Sequence, residues 1–201
     1  MKIAREGWPW ILVPLAASAM LAWFLDPRAA LPGLGLAAFV TWFFRDPERT
    51  TPLDPRGVYS PADGRVIQAG PRRVSVFMNV FDVHVCRAPM AGEVRQVEHH
   101  AGRFFAAYRD RASEHNERVS IVIDQGSLSL QFTLVAGLIA RRIVARIGPG
   151  QRVGAGQRIG LIQFGSRVDL VVPDGAEVLT RCGERVVAGE SLVARLPPSA
   201  G

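Results

Sequence analysis

The chain has 201 residues, 48% hydrophobic and 21% charged, with a net charge of +6, which is enough apolar material for a packed core and excludes global disorder. Only one of its 24 basic residues is a lysine, Lys2. The body therefore has no lysine to form an imine with pyridoxal phosphate, to carry biotin or lipoate, or to complete a P-loop.

The N-terminal segment differs in texture from the rest. Trp8 to Leu25 carries no charge, nor does Ala29 to Phe44, and Asp26-Pro27-Arg28 lies between them. Both runs are close to the shortest length that spans a bilayer. A charged start at Lys2 and Arg5 also fits a signal peptide. The second apolar run and the lack of a clean small-residue cleavage site favour a helical hairpin over residues 1–49 instead. Trp8, Trp10, Trp23, Trp42, Phe43 and Phe44 sit at the run ends, as interfacial aromatics do. With Lys2 and Arg5 before the hairpin and Arg45 and Arg49 after it, both ends are expected on the cytoplasmic side of the cell membrane.

From Thr50 onward the pattern predicts a β-rich domain, residues 50–201. The 20 glycines and 14 prolines favour turns between short strands over a helical bundle. Val74–Met78, Val83–Val85, Val119–Ile123 and Ser127–Phe132 read as strands. Gln125-Gly126 marks a hairpin. Leu134 to Ile147 reads as one long strand with a bulge at Gly137.

The domain repeats itself. Ser60-Pro61-Ala62-Asp63-Gly64-Arg65-Val66 returns as Ala88-Pro89-Met90-Ala91-Gly92-Glu93-Val94, and more loosely at Val172–Val178. Gly150–Gln157 returns as Gly183–Glu190. This unit resembles lipoyl- and biotinyl-type barrels. The expected fold is mainly β: a compact antiparallel sandwich or barrel of lipoyl-like quasi-repeats behind the N-terminal hairpin.

Few residues suggest chemistry when taken singly. Cys86 and Cys182 stand 96 residues apart and read as two buried thiols in a reducing compartment. His99-His100 reads as a solvated turn. With no CxxC, HxH or HExxH, no metal site is expected. His84 lies in a strand-like run, Asp63 in a turn, and Gly165-Ser166 at a strand kink. The arginines are spread along the chain without an aromatic stacking surface, so no nucleic-acid partner is expected.

In order, five motifs change this picture. They are Phe43-Phe44-Arg45-Asp46-Pro47-Glu48-Arg49, Ser60-Pro61-Ala62-Asp63-Gly64, Asn79-Val80-Phe81-Asp82-Val83-His84-Val85-Cys86-Arg87-Ala88-Pro89, His115-Asn116-Glu117-Arg118 and Phe164-Gly165-Ser166-Arg167-Val168-Asp169. Over about residues 43 to 172 the chain resembles phosphatidylserine decarboxylase proenzymes of the short, membrane-associated type.

The resemblance implies self-cleavage between Gly165 and Ser166 into chains 1–165 and 166–201. Ser166 would become a covalent pyruvoyl group, and neither a metal nor pyridoxal phosphate would be needed. It implies an Asp-His-Ser set of Asp63, His84 and Ser166. Condensation of a phosphatidylserine amine with the ketone would be followed by decarboxylation to phosphatidylethanolamine. The implied partners are a membrane phospholipid and the two chains of one precursor, and a homo-oligomer is left open. Longer members carry His-x-x-His in the strand where this chain has His84 and Arg87. Either one imidazole serves both reactions or Arg87 takes a substrate-facing electrostatic role. The rival reading is a non-enzymatic, membrane-tethered lipoyl-like adaptor, which leaves Gly165-Ser166 without a purpose.

Overall fold

The computed structural model describes residues 2–102, 116–137, 142–163 and 166–198. The chain forms two compact units, Met1–Glu48 and Arg49–Gly201.

In the first unit, β1 (Lys2–Ile3) pairs antiparallel with β2 (Arg45–Asp46) and brings the ends of a helical hairpin together. Its arms are α1 (Trp8–Phe24) and α2 (Leu31–Phe43). The connection is chemical as well as steric. Asp26 Oδ1 accepts from the Arg28 backbone N–H at 2.7 Å, and Pro27 opens a 3-10 turn through Ala30. The arms cross where Gly33 meets Ser18 closely enough that a Cβ would strike Ser18 Oγ. Ser18 Oγ itself donates back to Pro14 O at 2.7 Å, so this buried hydroxyl is satisfied within its own helix.

Both arms are apolar on every side. Trp10, Val13, Met20, Trp23, Leu31 and Leu36 are among many large side chains left exposed. Such a surface calls for an apolar surrounding. Arg5–Phe24, 20 residues with mean hydropathy 1.4, is long and apolar enough to cross a membrane. The 13 residues of α2 rise only about 20 Å at 1.5 Å each, which falls short of a bilayer core of about 30 Å.

The strands of the second unit are, in order, β3 (Gly57–Tyr59), β4 (Gly64–Ala69), β5 (Arg73–Met78), β6 (Val85–Arg87), β7 (Gly92–His100), β8 (Arg118–Gln125), β9 (Leu128–Ala136), β10 (Ile143–Ala145), β11 (Arg152–Val153), β12 (Arg158–Ile162), β13 (Ser166–Val171), β14 (Glu177–Val178), β15 (Arg185–Val186) and β16 (Leu192–Arg195). They form an eight-stranded sheet, β11-β7-β8-β9-β13-β5-β4-β15, and two three-stranded sheets, β10-β12-β6 and β14-β16-β3. Every pairing is antiparallel, so the domain is mainly β as expected.

Register explains the core. Val66, Val76, Val168, Leu134 and Val119 lie opposite one another on five neighbouring strands, and all five are buried in one cluster. One residue along, Arg65, Phe77, Arg167, Val135 and Arg118 form the next row. That row faces the other side of the sheet, as strand alternation requires.

The sequence repeats make matching bonds. Val66 N–H donates to Glu184 O and Gly183 N–H to Val66 O; 28 and 33 residues away, Val94 N–H donates to Gln151 O and Gly150 N–H to Val94 O. Tyr59 N–H to Pro89 O is answered by Arg87 N–H to Pro61 O. The two copies are therefore interlocked at the segment that holds Asp63.

Three local expectations are corrected. Leu134–Ile147 is not one strand: β9 ends at Ala136 and β10 begins at Ile143, in a different sheet. Apolar residues flank Arg141-Arg142 on both sides in this run, and hydropathy alone does not tell a continuing strand from a change of sheet. His99-His100 is not a turn but the end of β7, paired with Val119 and Arg118 of β8. Cys182 is exposed, while Cys86 is buried, and both thiols are free.

Candidate active site

Ser166 is the first residue of β13, a strand flanked on both sides. It lies opposite Met78 of β5 and Ala136 of β9, and it is fully buried. It shares the core-facing side with Val168 and Leu170. Its hydroxyl is 3.9 Å from Met78 Sδ, a weak acceptor.

His84 reaches the same end of the sheet by another route. Six residues after Met78, it immediately precedes β6 and is 1% exposed. Its carbonyl accepts from Ile162 N–H at 3.2 Å, and Ile162 stands four residues before Ser166. His84 thus follows β5, the strand that pairs with Ser166, and its backbone is bonded to the last residue of β12. Gly165 lies outside the described residues.

His84 Nδ1 is 3.0 Å from the carbonyl oxygen of Asp82. A carbonyl only accepts, so this contact places the proton on Nδ1 and leaves Nε2 as the basic nitrogen. A base with a defined lone pair is what a serine hydroxyl needs to become a nucleophile.

Asp63 sits in the bend before β4, beside β6, because Arg87 N–H donates to Pro61 O at 2.9 Å. Its Oδ1 accepts from Ala188 N–H at 2.8 Å and its Oδ2 from Arg49 Nη2 at 2.9 Å. Arg49 also reaches Glu190, at 3.3 Å. The charge of Asp63 is felt at β6: burial, aided by that carboxylate, pushes the Cys86 thiol up to about 12.

Asp63 stands just before β4, His84 just before β6 and Ser166 at the start of β13. Among the described residues, no group of three or more His, Cys, Asp or Glu is arranged to hold a metal ion. A pocket of about 390 Å³, lined by Thr51–Pro55, Ala91 and Ala155, includes none of these three residues.

Comparison with known proteins gives the family. The family model described as phosphatidylserine decarboxylase matches residues 36–73 and 69–194. The chain belongs to the phosphatidylserine decarboxylase family. It is 44% identical over 199 residues to a phosphatidylserine decarboxylase proenzyme of Solibacter usitatus (strain Ellin6076), with 97% of each chain covered. A proenzyme of the same name from Symbiobacterium thermophilum (strain DSM 24528 / JCM 14929 / IAM 14863 / T) is 46% identical over 207 residues, covering 97% of this chain and 96% of that one. Membership makes the chain a lyase of the decarboxylase class rather than a non-enzymatic adaptor.

Two further motifs shared with phosphatidylserine decarboxylases find places. Asn116 is fully buried, and its Nδ2 donates to Ala136 O at 2.7 Å, while Ala136 N–H donates to Glu117 O at 3.0 Å. This motif fixes the residue opposite Ser166. The sequence offered no mechanism for it beyond structural pairing, because the contact spans 20 residues and lies at the open end of the β8–β9 pair. His115 of the same motif lies outside the described residues. Arg87 is 5% exposed and donates through Nη1 to Gly156 O at 2.9 Å. A Cβ on Gly189 would meet its Cδ at 2.9 Å, so the side chain is packed along its length.

Proposed function

We propose that this protein cuts itself between Gly165 and Ser166 and then decarboxylates phosphatidylserine to phosphatidylethanolamine with the pyruvoyl group made from Ser166. The observation that supports this reading is that Ser166 and His84 are both buried, Ser166 opposite Met78 and His84 six residues after it, with His84 Nδ1 against the Asp82 carbonyl and Nε2 as the basic nitrogen.

His84 Nε2 takes the Ser166 hydroxyl proton as Oγ attacks the Gly165 carbonyl carbon. The peptide C–N bond breaks as an ester C–O bond forms, and the proton passes to the freed amine. Loss of the Ser166 α-proton then expels the Gly165 carboxylate and leaves a Cα–Cβ double bond. Addition of water and release of ammonia leave a ketone at residue 166. Asp63, held by Arg49 and the Ala188 N–H, supplies a fixed negative charge beside β6 that favours the imidazolium formed in the first step.

The residues fit the group. Cross-strand neighbours Met78 and Ala136 are neutral, and both are buried. A small uncharged ketone thus fills the place of Ser166 without stranding a charge. When present, the group supplies an electron-withdrawing carbonyl to the amine of a serine head group. His84 Nε2 holds the proton that the α-carbon takes up after carbon dioxide leaves.

The apolar hairpin supports a location at the cell membrane, where a phospholipid substrate resides. The flanking Lys2, Arg5, Arg45 and Arg49 support a cytoplasmic side for the hairpin ends.

The test is release of carbon dioxide from carboxyl-labelled phosphatidylserine in vesicles. Wild type should release it and lose activity on borohydride treatment, and Ser166→Ala should be inert. Activity that survives both treatments would contradict the reading.

A further inference from the structure

The turn between β5 and β6 holds a charged pair that the reaction scheme leaves without a role. Asp82 is 8% exposed. Its Oδ2 accepts from Asn79 N–H at 2.9 Å, its own N–H donates to Asn79 O at 3.0 Å, and Asn79 Oδ1 accepts from Phe81 N–H at 2.7 Å. Side chains thus close the turn from both ends, much as a capping box closes the first turn of a helix. The remaining oxygen, Oδ1, accepts from Arg185 Nη2 at 2.8 Å. The carbonyl of this same Asp82 holds His84 Nδ1.

We propose that Asp82 and Arg185 are positioning residues for His84: their ion pair locks the Asn79–Asp82 turn so that the Asp82 carbonyl keeps the imidazole proton on Nδ1 and the lone pair on Nε2. This rests on the reading of His84 as the base. Asp82 belongs to the segment before the proposed cut and Arg185 to the segment after it. The base is therefore braced across the two product chains and stays oriented for the second reaction once the backbone is broken. Within the turn the order of effects is clear. The Arg185 side chain is 65% exposed, and such a pair adds little to global stability. Its removal should loosen the turn and leave the fold intact.

The test uses the full chain in lipid nanodiscs. In a Ser166→Ala background, which keeps the chain whole, long-range ¹⁵N spectra report the His84 tautomer, and His84→Gln assigns the signal. The expected result is a single Nδ1–H form that becomes a mixture on Asp82→Asn or Arg185→Gln, with the unfolding temperature nearly unchanged. In chains that retain Ser166, processing should slow about tenfold in either variant, and Arg185→Lys should restore most of the rate. An unchanged tautomer pattern in both variants overturns the proposal. If His84→Gln instead processes at the wild-type rate, the reading of His84 as the base fails, and the spectra still decide the positioning.

Discussion

Ser166 and His84 are both buried polar groups, and the role proposed for His84 has a specific consequence. Replacing His84 by Ala removes the base and should slow processing by a factor of about 10² to 10⁴, read as the persistence of uncut chain on denaturing gels. Cys86 gives a pH prediction at the same scale. Burial holds its thiol neutral up to about 12, against an ordinary value of 9.0. The unfolded chain ionises first, so this stabilisation is complete below pH 9 and is lost as pH rises toward 12. Denaturation midpoints at pH 8 and at about 10.5 should therefore fall further for wild type than for Cys86→Ala. Equal falls would show that the thiol does not contribute. Exposed Cys182 should react with a maleimide in the folded protein, and Cys86 only after unfolding.

At the scale of elements, β13 decides what happens after the cut. All six of its residues pair with β5 on one side and β9 on the other, and β15 pairs with β4 and β16 with β3. Segment 166–201 is thus woven into the long chain. Cleavage at 165/166 should leave both fragments in one complex through gel filtration, separating only in denaturant. Separation under native conditions would contradict this topology. Gly64 anchors the neighbouring strand with φ +146°, and a Cβ there would strike the carbonyl oxygen of Phe77. Gly64→Ala should cost about 1–3 kcal/mol, measured as a lowered midpoint of urea unfolding.

Most of these elements were legible in the sequence because their residues alternate. Val74–Met78 and Val119–Ile123 lie within β5 and β8, and Gly126, at φ +61°, turns the expected hairpin into β9. The break between β9 and β10 was not read, since Ile, Val and Leu recur on both sides of Arg141-Arg142 and suggest one continuing strand. Of the candidate site, Asp63, His84 and Ser166 could be named from motifs. The partners that orient them could not: Asp82 O for the ring, Arg49 and Ala188 N–H for the carboxylate, and Asn116 for the residue opposite Ser166. These are backbone or distant contacts, and no spacing announces them. Arg87 illustrates the converse. Its motif position suggests an electrostatic role toward substrate, while its bond from Nη1 to the Gly156 carbonyl could not be read from the sequence.

For the whole molecule, the two units divide the labour that a lipid substrate demands. The apolar surface of the hairpin predicts that the protein stays with membranes through an alkaline carbonate wash; release by carbonate would show that the hairpin only rests on the surface. The central claim is that the buried Ser166 hydroxyl cuts its own chain. Intact mass measurement of the purified protein beside Ser166→Ala tests it most directly. The account predicts two species in the wild type, residues 1–165 and residues 166–201, the shorter lacking a free N-terminal amine and gaining mass with hydroxylamine, and one uncut species in Ser166→Ala. A single full-length mass in both proteins would contradict it.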